Sequence, residues 1–130
     1  MTAIATREAK LGNLIKYEQG VQHGYCREVK SVTLTPTSKI GDVLYDSSGN
    51  LVLVNVANTA NAEAILADVT VYDKRPATGT ANVDLSVLVR GAAIVGDKAL
   101  NYAADVDTDN KKAAVNAVVE GLGILVRSQY

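Results

Sequence analysis

Most of the large apolar residues of this chain are aliphatic, and this feature constrains its fold more than any single motif does. Eighteen of the 130 residues are valine, whereas tryptophan and phenylalanine are absent. Valine is branched at Cβ, and its stiff side chain fits the pleated surface of a sheet better than the surface of a helix. The composition therefore predicts a mainly β protein with a core of valine, leucine, isoleucine and alanine.

Strand-like patterns make up most of the chain beyond its first 24 residues. The segment REVKSVTL (27–34) alternates as a half-buried strand does, and GDVLY and LVLVNV flank turn-forming residues at 46–50. Further strand-like segments are ILADVTVY (65–72), SVLVRGAAIVG (86–96) and GILVRSQY (123–130). We interpret 86–96 as one strand through the middle of the protein, because both of its faces are apolar.

A change of period near the C-terminus indicates one α-helix. Five apolar residues recur there at helical spacing: Ala114, Val115, Val118, Val119 and Leu122. Asp107, Thr108 or Asp109 can cap the start of this helix, and acidic residues suit its positive end. Gly121 is suited to the C-terminal cap.

The first 24 residues are interrupted by glycine and lack a strong periodic pattern, so we expect an arm rather than a core element. Within it, LGNLIKYE (11–18) alternates as a short strand would, once a partner supplies an edge. We therefore predict an extended N-terminal arm (1–24) and a single β-rich domain (25–130). The predicted fold class is mainly β, or α+β: a small β-rich sandwich or partly closed barrel with one helix in its C-terminal half.

Length, hydropathy and charge exclude several classes of protein. The chain has the length of one domain, and no apolar run approaches the roughly 18 residues that span a bilayer. Its start lacks the apolar centre of a signal peptide, and its single cysteine suits a reducing compartment. Residues 1–39 carry six Lys or Arg against three Asp or Glu, an excess too small for a nucleic-acid surface. We expect a soluble protein made inside the cell, with neither a membrane nor a nucleic acid as partner.

Three carboxylates near the predicted helix resemble the start of a calcium site. Asp105, Asp107 and Asp109 have the spacing that opens an EF-hand loop. However, Asn110 stands where that loop needs glycine, and Asn116 stands where it needs a bidentate glutamate. The pattern favours capping of the helix over binding of a metal.

One histidine and one cysteine leave little room for metal or catalytic chemistry. His23 and Cys26 are three residues apart, but a structural zinc site needs four ligands. A lone histidine also removes most pairs of nucleophile and general base, and the sequence has neither a Gly-x-Ser-x-Gly motif nor a phosphate-binding loop. We expect no metal, no cofactor and no enzymatic activity.

Arg90 is the one charged residue inside the apolar segment 86–96. A buried and unpaired charge is costly, so its side chain must reach the rim of the protein or pair with a carboxylate. Gly91 offers a bend or bulge that steers the side chain outward. We interpret Arg90 as a structural residue rather than as a contact for a partner.

Six short segments follow one another along nearly the whole chain. They are LGNLIKYE (11–18), YCREVKSVTL (25–34), KIGDVLYDSSGNLV (39–52), AEAILADV (62–69), VLVRGAAIV (87–95) and LGILVR (122–127). In this order they resemble the head decoration proteins of tailed bacteriophages, the lambdoid family.

The resemblance implies a structural protein of the virion without enzymatic activity. Members of this family are β-rich trimers on the outer surface of the expanded head, where they cement the lattice of the major capsid protein at local threefold positions. Their N-terminal arm is loose in the free protein and pairs with an edge of the capsid protein. The resemblance therefore implies a homotrimer, made in the host cytoplasm, whose partner is the major capsid protein.

We expect the contacts with the capsid to come from the strand-like part of the arm and from the tyrosines that flank its glycines. The predicted capsid-binding residues are Leu14, Ile15, Lys16, Tyr17 and Tyr25. Two alternatives stay open. One is a soluble ligand-binding β module in which loop 73–82 covers a pocket, and the other is a tail or adhesin component of a virion.

Overall fold

The structure is a computed structural model that describes residues 14–18 and 26–127. Within these ranges it contains eight strands and two α-helices, so the prediction of a mainly β protein is confirmed. The strands are β1 (Ile15–Glu18), β2 (Arg27–Leu34), β3 (Val43–Ser47), β4 (Asn50–Leu53), β5 (Ala62–Leu66), β6 (Ala81–Leu88), β7 (Ala93–Gly96) and β8 (Ile124–Arg127). The α-helices are α1 (Val71–Lys74) and α2 (Asp109–Glu120), and two 3-10 helices cover Val56–Asn61 and Asp97–Ala99.

Five of the strands form a closed barrel in the order β2-β4-β3-β5-β6. β2 and β6 pair antiparallel along their whole length, from Arg27↔Leu88 to Leu34↔Ala81. β2 also pairs with β4, in parallel and at the single position Val32↔Leu51, and this contact closes the barrel. Of the two predicted architectures, the barrel is confirmed, and it is closed by this single pair of residues.

β3 and β4 form the hairpin that the turn residues predict. Ser47 pairs with Asn50, so only Ser48 and Gly49 lie in the turn. Their φ angles are positive, 55° and 93°, as in the two-residue turns that match the twist of a hairpin. Asp46 Oδ1 accepts a hydrogen bond from Gly49 N at 3.0 Å and stabilises this turn.

The segment 86–96 is not a single strand, which corrects the prediction made from its apolar character. β6 ends in the barrel at Leu88, and β7 begins at Ala93 in a second sheet with the order β1-β7-β8. Between them, Gly91 lies so close to Gly123 that a Cβ on Gly91 would be 1.8 Å from the Gly123 carbonyl oxygen. Only glycine allows this approach of two backbones, and the chain crosses here from the barrel to the second sheet.

The predicted helix is confirmed as α2, which connects the parallel strands β7 and β8. Thr108 is its N-cap, and the Thr108 side chain accepts a hydrogen bond from Lys111 N at 3.3 Å. Val115 and Val119 are fully buried, whereas Ala114, which the periodicity also placed on the apolar face, is exposed. The helix is long enough to carry the chain back to the start of the next parallel strand, which a tight turn cannot do.

The core is aliphatic, as the composition predicts. Its largest fully buried side chains are Leu14, Leu34, Ile40, Leu44, Ile65, Leu66, Leu85, Leu88, Ile124, Val32, Val43 and Val54. It extends from the barrel to the second sheet, because Leu14 beside β1 and Ile124 in β8 belong to the same buried cluster.

Candidate functional site

β1 contains most of the predicted capsid-binding residues, and the structure pairs it with a strand of the same chain. β1 runs antiparallel to β7, with Ile15 opposite Val95 and Glu18 opposite Ala93. The register shifts between Ile15 and Tyr17, which is the mark of a β-bulge or a similar irregularity. The strand-like character of 11–18 is confirmed for residues 15–18, which pair with β7 of the same chain.

Of the two predicted contact residues whose side chains the structure describes, Leu14 and Ile15, Leu14 lies out of reach of a partner. Its side chain is completely buried in the core cluster, so it cannot touch another protein while β1 is paired with β7. Ile15 is half-buried and packs against the same cluster. The backbone of Lys16 and Tyr17 lies in β1, whereas their side chains and the whole of Tyr25 lie outside the described residues.

Part of the predicted arm, residues 14–18, is described by the structure. These residues contribute a buried leucine and a paired strand to the folded body. The apolar alternation of this segment does not distinguish a partner's edge from the edge of β7, because either one satisfies the same backbone groups. The rest of the predicted arm, residues 1–13 and 19–24, lies outside the described residues.

The two outer strands of the second sheet differ in what lies beyond them. No strand of the described ranges pairs with the outer edge of β1. β8 is also an edge strand, but its Val126 N donates a hydrogen bond to Glu120 Oε2 at 3.2 Å, and Arg127 Nη1 donates to the same oxygen at 3.3 Å. A carboxylate from α2 therefore occupies part of the β8 edge.

Arg90 forms an ion pair with Glu28 of β2, so the prediction that it pairs with a carboxylate or reaches the rim is confirmed. Both side chains are about two-fifths exposed, 39% and 41%. The hydrogen bond from Arg90 and its positive charge lower the pKa of Glu28. Lys30 Nζ lies 3.7 Å from the other oxygen of the same carboxylate. Arg90 is thus a satisfied charge at the surface of the barrel.

The three carboxylates of the calcium-like motif perform separate structural tasks. Asp105 Oδ1 accepts a hydrogen bond from Val56 N at 3.1 Å, and Asp107 forms an ion pair with Lys111 at 3.1 Å. Asp109 lies in the first turn of α2. Of the three predicted cap candidates, Asp107, Thr108 and Asp109, it is Thr108 that caps α2. In residues 14–18 and 26–127, no three His, Cys, Asp or Glu side chains are grouped to hold a metal ion.

Asp42 is a candidate functional residue that the sequence analysis missed. It is only 5% exposed, and its Oδ2 accepts a hydrogen bond from Lys39 N at 3.2 Å. Burial raises the pKa of this carboxyl to about 7, because the hydrogen bond and the charge of Lys39 offset the loss of water only in part. In the sequence, Asp42 follows a glycine and precedes a strand, which is typical of an exposed turn residue.

Two cavities meet at Asp42. The larger, of about 330 Å³, extends towards Tyr102 and Lys112, and the smaller has a volume of about 140 Å³. Thr37, Asp42 and Leu53 line both of them. We call the smaller one the seam cavity, because Val32 and Leu53 place it where β2 and β4 diverge beyond their single paired position.

A third cavity continues the surface towards α2. It has a volume of about 450 Å³ and shares Leu100, Tyr102 and Lys112 with the cavity of 330 Å³. Tyr102 Oη donates to Asn116 Oδ1 at 2.5 Å, and burial raises the pKa of Tyr102 to about 12. This tyrosine is therefore a neutral hydrogen-bonding group at ordinary pH.

Loop 73–82, which the ligand-binding alternative places over a pocket, is attached near these cavities. Arg75 Nη1 donates to the Ser38 carbonyl oxygen at 2.9 Å, and the Arg75 guanidinium lies over the ring of Tyr72, 5.2 Å from its centre. Thr80 from the same loop lines the seam cavity. The sequence does not predict the contact between this loop and Ser38, because Arg75 and Ser38 are far apart in the chain.

The class of protein defined by this fold is a small closed β-barrel domain with an additional three-stranded sheet and a covering helix. No protein-family model matches the chain, and no curated protein matches it significantly. Within the two described ranges, none of the helices combines the length and the apolar character needed to cross a membrane.

Proposed function

We propose that this protein is a bacteriophage head decoration protein, a structural protein of the virion. In this role it binds the outer surface of the expanded head as a homotrimer at local threefold positions and cements the major capsid protein. The role requires no catalysis, cofactor, metal or nucleic acid. Its support in the sequence is the order of six segments along nearly the whole chain.

The observation that carries the proposal is the outer edge of β1. A strand of the capsid protein can add to this edge and extend the sheet β1-β7-β8 to four strands. Main-chain hydrogen bonds then supply affinity, and alternating side chains select the register. Three such edges on one trimer engage a lattice together, and this avidity exceeds the affinity of a single edge by roughly 100-fold or more.

The residues of this interface differ from the sequence prediction in one respect. Leu14 anchors β1 in the core and thereby positions the edge, instead of contacting the capsid. Ile15, Lys16, Tyr17 and Tyr25 remain the proposed contacts. The backbone of β1 then contributes more than any one side chain, since β-augmentation is mainly a main-chain interaction.

The test is co-sedimentation of the purified protein with expanded heads of its own phage. The proposal expects the full chain to bind and Lys16→Pro to lose at least about tenfold in affinity, because proline removes a backbone donor from β1. Lys16→Ala is the matched comparison: it keeps the backbone donor and removes only the side-chain contact, so we expect it to lose less affinity than Lys16→Pro. A full-length protein that is monomeric by light scattering and does not bind expanded heads contradicts the proposal.

The ligand-binding β module keeps one observation in its favour, which is the contribution of Thr80 from loop 73–82 to the seam cavity. It predicts a small ligand and no affinity for heads. A tail or adhesin component also predicts no affinity for expanded heads, so the same sedimentation experiment separates both alternatives from decoration.

A further inference from the structure

Asp42 is a buried carboxyl that forms no ion pair in the described part of the chain, although the charge of Lys39 favours its ionised form. Its Oδ2 accepts from Lys39 N, while no described group donates to Oδ1 and no ion pair includes Asp42. Removing an ionised carboxylate from water costs several kcal/mol unless a counter-charge or further hydrogen bonds replace the water. The fold therefore contains a carboxylate whose electrostatic requirement is only partly met.

The backbone around Asp42 is held rigidly, so the carboxyl cannot easily turn out to solvent. Leu66 N donates to the Asp42 carbonyl oxygen at 2.9 Å, and Val43 N donates to the Asn101 carbonyl oxygen at 2.9 Å. Next to Asp42, Gly41 has a φ of 99°, and a Cβ there would lie 1.9 Å from the Ala99 carbonyl oxygen. This preorganisation keeps the acid at the junction of the two cavities.

The charges on the two sides of Asp42 are different. Lys39 and Lys112 line the cavity of 330 Å³. Asp42 is the one charged residue among those that line the seam cavity, and the others are aliphatic or carry hydroxyl groups: Val32, Thr33, Thr35, Thr37, Ser38, Leu44, Val52, Leu53 and Thr80. A cation is therefore complementary to the seam cavity rather than to the larger one.

We propose that the seam cavity binds a primary alkylammonium group. The ammonium donates to the Asp42 carboxylate, and the alkyl chain lies against Val32, Leu44 and Leu53. The volume of 140 Å³ suits a chain of a few carbons, since an apolar cavity of about 150 Å³ accommodates a benzene molecule. A divalent metal ion fits less well, because it prefers several carboxylate or carbonyl oxygens. This inference is independent of the proposed role on the phage head.

The first test compares the melting temperature of the full chain with and without n-butylamine, at pH 8, where the amine is charged. We expect a rise of about 3–6 °C at ten times the dissociation constant in the wild type and none in Asp42→Asn. Asp84→Asn, which removes an exposed carboxylate, is the matched control and keeps the rise. 1-Butanol, which has the same chain without the charge, produces no Asp42-dependent rise. The same response in the wild type and Asp42→Asn, or no response in either, overturns the proposal.

A second measurement uses the wild type alone and does not depend on the folding of a variant. The carboxyl carbon of Asp42 is titrated by NMR in the presence and absence of n-butylamine. A bound ammonium favours the ionised carboxylate, so the amine lowers the pKa of Asp42. An unchanged Asp42 titration at saturating amine means that the cavity holds only water, and this result overturns the proposal.

The alkylammonium can be a free amine or a lysine side chain of another protein, and a third experiment distinguishes them. If a capsid lysine enters the cavity, Asp42→Asn weakens co-sedimentation with heads, Asp84→Asn does not, and n-butylamine competes. If the ligand is a free amine, the wild type, Asp42→Asn and Asp84→Asn co-sediment with heads to the same extent, and n-butylamine does not compete. The Asp42-dependent rise in melting temperature remains. The rise in melting temperature with n-butylamine is expected whether the ligand is a free amine or a capsid lysine. If the wild type does not bind heads at all, that result contradicts the proposed function and leaves the amine site untouched.

Discussion

Two charged residues adjoin apolar strands in this protein, and their environments are opposite. Arg90 lies within an apolar segment, but its side chain is partly exposed and paired with Glu28. Asp42 lies in an ordinary turn sequence, yet it is buried and forms no ion pair in the described part of the chain. The comparison shows that a charge in an apolar stretch does not mark a site by itself. What marks a candidate site is a charged group whose water the fold has removed and replaced only in part.

The largest effect we expect comes from breaking the rigid backbone that holds Asp42. Gly41→Ala places a Cβ against the Ala99 carbonyl oxygen and forces alanine to a φ of 99°. We expect a loss of about 5 kcal/mol in the free energy of unfolding, which is comparable to the whole stability of a small domain. Urea denaturation measures it.

Gly49→Ala is the control for this substitution. Gly49 also has a positive φ, 93°, but a Cβ added there would meet no atom within 4 Å, so only the conformational strain of about 1–2 kcal/mol remains. Equal losses for the two variants would show that the contact at Gly41 is not what holds the Asp42 backbone.

The next effect is a pH-dependent stabilisation by Asp42→Asn. Burial raises the pKa of Asp42 from 3.8 to about 7, so the folded state binds the proton more tightly than the unfolded state. The stability from this group is complete below about pH 4 and is lost as the pH rises through 7. Asparagine keeps the shape without the charge, and we expect it to stabilise the protein by roughly 3–4 kcal/mol at pH 8. Thermal unfolding at pH 4 and pH 8 measures the difference, and an equal pH dependence in the two proteins would exclude Asp42 as its source.

A smaller effect follows from giving Asp42 a partner, as Arg90 has. Thr80 lines the seam cavity, so Thr80→Lys can place its own ammonium against the carboxylate. We expect a gain of about 1–2 kcal/mol at pH 8 and the loss of the response to n-butylamine. Thr80→Met, which has a similar length without the charge, gives neither result. A Thr80→Lys protein that still responds fully to the amine places the amine outside the seam cavity.

The smallest change in stability is expected from breaking the ion pair between Glu28 and Arg90. Glu28→Gln breaks the contact with Arg90 at the barrel surface, where water and salt screen both groups. We expect the melting temperature to change by less than about 2 °C, and less still in 1 M salt. A change as large as that of Asp42→Asn would remove the contrast between the two charges.

Whether an element could be predicted from the sequence depends on how far apart in the chain the residues that stabilise it lie. The hairpin of β3 and β4 and the cap of α2 are predictable, because Asp46 acts on Gly49 and Thr108 acts on Lys111, three residues away in each case. The division of 86–96 into two strands depends on Gly123, which is more than 30 residues from Gly91. No local pattern records such a contact.

The same contrast between local and distant contacts applies to the candidate sites. The alternation of the sequence predicts the strand at residues 15–18, but it predicts neither the pairing of β1 with β7 nor the burial of Leu14. The cavities at Asp42 combine residues from β2, β3, β4, α2 and three loops. The turn-like residues around Asp42 therefore gave no indication that the fold buries it.

The sequence by itself determined the class of this protein: a valine-rich chain without tryptophan or phenylalanine forms a mainly β domain, with one capped helix where the apolar period changes. These properties rest on the preference of each side chain for a backbone conformation and on contacts between near neighbours. Only the tertiary structure decided that the barrel closes, that β1 joins the chain's own sheet, and that Asp42 rather than Arg90 loses its water. Burial and pairing are properties of surfaces brought together from distant parts of the chain, and the local sequence does not contain them.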